Sequence, residues 1–113
     1  MDNHFFRQCL PHRVECTDNL IRIFSQQPNK LLFEGILPKG FNKDTFFNSL
    51  ASDMPNYIGS TICYLYDVNE NPVSNMNGYD MKLMETYNHR LDVLVKFMRG
   101  IEPVFEAPNP PQN

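Results

Sequence analysis

Leu31-Leu-Phe-Glu-Gly-Ile-Leu37 and Ser60-Thr-Ile-Cys-Tyr-Leu-Tyr-Asp-Val68 bracket a stretch that begins at Asn42 and carries Phe46, Phe47, Leu50 and Ala51 to Met54. The two flanking segments are rich in β-branched and aromatic residues, and the second is apolar on both alternating sets of positions, as in a strand covered on both faces. The middle segment has a capping Asn at its start and Pro55 just after its end, which marks a helix over 42–54. If the two strands are neighbours in one sheet, this helix is a right-handed crossover and the strands run parallel. Their carboxyl ends then share an edge, formed by 38–43 and 67–77, where ligands usually sit in open parallel sheets. An antiparallel sheet is the alternative.

Downstream, Met84, Tyr87, Leu91, Leu94 and Met98 recur at alternating spacings of three and four, the pattern of a long amphipathic helix from about Gly78 to Arg99. Asn77 caps it with Asp80 three residues on, and Gly100 stands where a left-handed terminator belongs. Asp92 and Lys96 form an outer i,i+4 pair. Upstream, Pro11 or Thr17 opens a helix carrying Val14, Leu20, Ile21 and Phe24, although Leu20–Phe24 also reads as a strand. Ile101–Glu106 adds a short edge strand limited by Pro103, before Pro108, Pro110 and Pro111 extend the tail. The expected fold is α+β or small α/β, in the order helix, strand, helix, strand, long helix, edge strand. Residues 1–107 form one layered domain and 108–113 a Pro-rich tail.

Composition sets the outer bounds. The 113 residues are 42% apolar with nine Phe and five Tyr, enough for one core, and 20% charged with a net charge of −3. That balance disfavours disorder and non-specific polyanion binding. Three cysteines are an odd number and too few for a disulfide scaffold, so a reducing, cytoplasmic setting is expected. The amino terminus lacks a basic start and a long apolar run, so no signal peptide is expected, and no stretch approaches the roughly 20 apolar residues of a membrane span. The excess of Asn and Phe, both with A/T-rich codons, points to an A+T-rich genome such as that of a phage, plasmid or endosymbiont.

Each chemical motif meets a plain alternative. Gly35-Ile-Leu-Pro-Lys-Gly40 has phosphate-loop glycine spacing, but Phe41 and Asn42 occupy the positions of its Lys and hydroxyl, which leaves Gly40 as a turn residue. Asp67-Val-Asn-Glu-Asn71 begins like a calcium loop, yet Pro72 and Gly78 break its bend and its bidentate ligand. His4, Cys9, His12 and Cys16 number enough for zinc but lack a standard spacing, so no metal and no cofactor are expected. Cys63 is mid-strand and apolar in setting, His89 lies on the polar side of the long helix after Glu85, and Pro108-x-x-Pro111 lacks a basic anchor.

With no catalytic set visible, the expected function is a non-enzymatic protein-binding module: an adaptor, inhibitor or immunity-type factor that docks another protein or a second copy of itself. Tyr and Met suit interfaces, so Tyr79, Met81, Met84 and Tyr87 beside the long helix are its candidate anchors, with Lys82 and Glu85 at the rim. The alternative is a small-ligand or nucleotide-phosphate site at the carboxyl edge of the sheet, built from Lys39, Lys43, Asp67 and Asn71 and open to enzymatic turnover.

Overall fold

The computed structural model describes residues 11–25, 30–51, 61–65 and 81–107, with residues 81–84 described through their backbone. The chain is mixed α and β. Strands β1 (Pro11–Thr17), β2 (Leu20–Ser25) and β3 (Leu31–Ile36) come first, followed by helix α1 (Lys43–Leu50), strand β4 (Ile62–Tyr64), helix α2 (Met81–Met98) and strand β5 (Glu102–Glu106). Among the described residues, all strand pairings are antiparallel, in one five-stranded sheet ordered β4-β1-β2-β3-β5.

The expected helix upstream of Ser25 is instead the β1–β2 hairpin. Val14 and Cys16, then Ile21 and Ile23, are buried at every second position, a period of two that a helix cannot present to one core. Asp18-Asn19 makes the two-residue turn, with Asp18 in the left-handed region at φ 55, a conformation that Asp tolerates better than most residues. Strands therefore open the fold where a helix was expected.

The crossover reading also fails. β3 and β4 are separated by β1 and β2, and they run in opposite directions. β3 ends beside Leu20 at the hairpin turn, while β4 ends at Tyr64 beside Arg13 near the other end of β1. The carboxyl ends of these strands lie at opposite ends of the sheet, so they form no shared edge. β4 is also shorter than expected and is an edge strand, covered on one face only: Cys63 is buried while Ile62 and Tyr64 are exposed.

The helices follow their signals more closely. Asn42 caps α1 by accepting the Thr45 N–H at 3.0 Å, and Gly40 turns the chain into it at φ 83, where only glycine is unstrained. α1 stops at Leu50 rather than Met54, because Ala51 leaves helical geometry at φ −123 and packs into the core. α2 closes through Gly100 N–H to Phe97 O at 3.2 Å and Ile101 N–H to Met98 O at 3.1 Å, without the left-handed φ expected of Gly100. The Asn77–Asp80 cap lies outside the described residues. β5 is the edge strand that the tail pattern implied, with Pro103 where a central strand would lose a ladder bond. Gly35 lets β5 approach: a Cβ there would stand 2.5 Å from the Ile101 side chain and 2.9 Å from the Glu102 carbonyl oxygen.

Both helices pack on one face of the sheet. Val14, Cys16, Ile21, Ile23, Phe33 and Cys63 from the strands join Phe46, Phe47, Leu50, Leu91 and Leu94 in one core. Phe46 sits at its centre, 5.0 Å from Phe97 and 5.1 Å from Phe47 in edge-to-face contacts that tie α1 to α2. Among the described residues, no helix is long and apolar enough to cross a membrane.

Candidate docking face

Residues directly opposite each other in a sheet share a face, so the register identifies the side that the helices leave uncovered. One row runs Ile62, Glu15, Arg22, Glu34, Phe105 across the five strands, and a second runs Tyr64, Arg13, Phe24, Leu31. The large apolar residues at the two flanks are exposed: Ile62 at 40% and Tyr64 at 43% on β4, Phe105 at 40% and Val104 at 54% on β5.

Between these apolar flanks the charges are already matched. Arg22 Nε donates to Glu34 Oε2 at 2.6 Å, and Arg13 Nε lies 3.0 Å from Glu15 Oε2. The Arg13 guanidinium also stands over the Phe24 ring, 4.3 Å from its centre. The centre of the face is thus neutral as a whole and held in place by its own pairs, while the aromatic and aliphatic groups at its margins meet solvent. Such an arrangement can bury apolar surface against a partner without stranding a charge.

The corner of the sheet at β1 and β4 is anchored from the helix layer. The Tyr87 hydroxyl donates to the Pro11 carbonyl at 2.9 Å, and Arg90 Nη1 donates to the Leu65 carbonyl at 2.8 Å. Leu65 N–H in turn donates to the His12 carbonyl at 2.8 Å, and the His12 ring lies 5.2 Å from that of Tyr64. Burial first and Arg13 second hold the His12 imidazole below its ordinary pKa of 6.5. Burial pushes the Cys16 thiol up to about 11, with Lys43 pulling weakly the other way, so this sulfur is protonated at neutral pH and poorly nucleophilic. Cys63 is equally buried, its Sγ 3.6 Å from the Tyr64 carbonyl oxygen.

The residues expected beside the long helix are placed differently from one another. Tyr87 is 5% exposed and belongs to the core. Tyr79 lies outside the described residues, as do the side chains of Met81 and Met84. Of the alternative set, Lys39 is exposed in the turn after β3 and Lys43 opens α1 half-buried, whereas Asp67 and Asn71 lie outside the described residues. β3 and β4 end at opposite ends of the sheet, so the shared strand edge expected to carry these residues is not formed. His4 and Cys9 also lie outside, and among the described residues no three His, Cys, Asp or Glu side chains converge as for a metal ion.

What sequence reading missed is Tyr64, Ile62 and Phe105. Their apolar character was plain, but their exposure follows from the edge positions of β4 and β5, which depend on long-range pairing. The matching carboxylate and guanidinium alternation in Arg13-Val-Glu15 and Arg22 was the one local sign of a polar sheet face. In comparisons with known proteins, no family model matches the chain, and neither a curated protein nor a solved structure is significantly similar to it.

Proposed function

We propose that this chain is a non-enzymatic protein-binding module of adaptor or inhibitor type, and that it docks through the uncovered face of its sheet rather than beside the long helix. The observation that carries this reading is the division of exposure: the core side is closed, while Ile62, Tyr64 and Phe105 remain 40–43% exposed at the margins of the other side. Exposed aromatic and aliphatic groups are residues that protein interfaces use as anchors, and the charges between them are already paired with one another. The groups with shifted protonation, His12 and Cys16, are buried in packing, where they favour structure over turnover. The free thiols of Cys16 and Cys63 suit a cytoplasmic setting.

A second copy is the less favoured occupant. Stacking two such faces about a two-fold axis centred on Arg22 sets Arg22 over Arg22 and Glu15 over either Glu34 or Glu15, so like charges meet at the interface centre. A different protein is therefore the favoured partner. Affinity capture from a lysate of the native source, with wild type beside Tyr64→Ala and Phe105→Ala, tests this. Truncating either exposed aromatic should weaken binding by about 2 kcal/mol or more, roughly thirtyfold, whereas changing Glu85 on the far side should not. Undiminished capture by both folded variants contradicts the proposal.

A further inference from the structure

We infer that His12 is a proton-operated latch on the edge strand of the docking face: an imidazolium at this position releases β4 from β1 and takes Tyr64 out of the face. The inference deepens the docking proposal, on which its functional consequence rests.

The geometry begins with a bulge. Pro11 pairs with Ser25 and Arg13 pairs with Phe24, so His12 is the residue inserted between them. Bulges bend a strand and re-aim a side chain, and here the buried His12 ring packs on Tyr64 while the His12 carbonyl accepts the Leu65 N–H. One residue thus touches the edge strand through both its ring and its backbone.

The surrounding groups make a positive charge unwelcome. Arg13 follows on the same strand, its guanidinium held by the Glu15 carboxylate and stacked on Phe24. From β2 the facing residues are Phe24 and Ser25, which carry no charge, and from β4 it is Tyr64. From α2, Arg90 reaches the Leu65 carbonyl and the neutral Tyr87 hydroxyl reaches Pro11. Among the described residues, an imidazolium would be a second cation beside the Arg13 guanidinium in a site that burial already desolvates. The lowered pKa of His12 expresses the same cost.

The cost has an exit. β4 is three residues long and terminal in the sheet, so its release exposes far less than global unfolding. The sign follows from linkage. With the closed-state pKa below 6.5 and the released imidazole near 6.5, the open form binds more protons, so closure is complete above 6.5, weakens as pH falls from there to the closed-state value, and changes no further below it.

Amide hydrogen exchange on the free protein tests the latch apart from any partner, so its failure and the failure of the docking reading are separate results. Corrected for intrinsic exchange, opening at Leu65 should rise as pH falls below 6.5 and level off below the closed-state value, while Ile23 in the sheet centre stays protected at every pH. His12→Phe keeps a ring against Tyr64 without a titrating nitrogen and should flatten that dependence. His12→Gln serves if the Phe variant does not fold, and the contrast between Leu65 and Ile23 in the wild type decides if neither does. Leu65 opening that ignores pH, opening of Leu65 and Ile23 in concert, or an unchanged dependence in a folded His12 variant overturns the inference.

Discussion

The two faces of this sheet are written by the same alternation yet obey different physics. On the helix side, Val14, Cys16, Ile21 and Ile23 are fully buried and meet Phe46, Phe47, Leu91 and Leu94, so each side chain contributes by leaving water and filling space. On the other side, Arg13 pairs with Glu15 and Arg22 with Glu34, and the most exposed apolar groups lie at the margins. The difference teaches that exposure of Tyr64 and Phe105 is not a defect of an unfinished core, because the core closes without them. It also separates stability from recognition by residue.

That separation can be broken most forcefully at Phe46. Phe46→Ala empties the centre of the aromatic cluster and should cost about 3–5 kcal/mol, read by urea denaturation. A loss below about 1 kcal/mol would show that the helix layer is loosely packed. Gly35→Ala should follow, at about 1–3 kcal/mol, since the added methyl meets Ile101 and the Glu102 backbone. A neutral Gly35→Ala would mean that β5 can move away from β3 without penalty.

Tyr87→Phe comes next. Removing the hydroxyl leaves the Pro11 carbonyl short of its donor, so a loss of about 1–2 kcal/mol is expected in the same denaturation experiment. A variant as stable as the wild type would return Tyr87 to consideration as something other than a core anchor. The smallest effect belongs to the open face: Arg22→Ala removes a partly exposed pair and should change stability by no more than about 1 kcal/mol. A larger loss would show that something covers this face.

Tyr87 also shows where sequence reading succeeds and stops. The stripe at Leu91 and Leu94 identified α2 because local spacing alone defines a helical face, and the same stripe placed Tyr87 in the core. That the Tyr87 hydroxyl is also satisfied internally is revealed only by the proximity of Pro11. The hairpin was hidden for a related reason. Val14, Leu20, Ile21 and Phe24 are compatible with a helical stripe, and the deciding signal was the Asp18-Asn19 turn between two β-branched runs. The parallel crossover was a sound local inference overturned by strand order, since two strands inserted between β3 and β4 leave no trace in the segment that joins them. Nothing in a single strand's composition states that it will be an edge, and so Tyr64 and Phe105 as an exposed pair required the assembled sheet.

Hydroxyl-radical footprinting, read residue by residue in the free protein and again with captured partner bound, tests the division of the two faces most directly. The account predicts that Tyr64 and Phe105 are oxidised readily in the free chain and protected on binding, while Phe46 and Phe47 stay protected throughout. Tyr64 and Phe105 already protected in the free chain, or oxidised equally with partner bound, would contradict it.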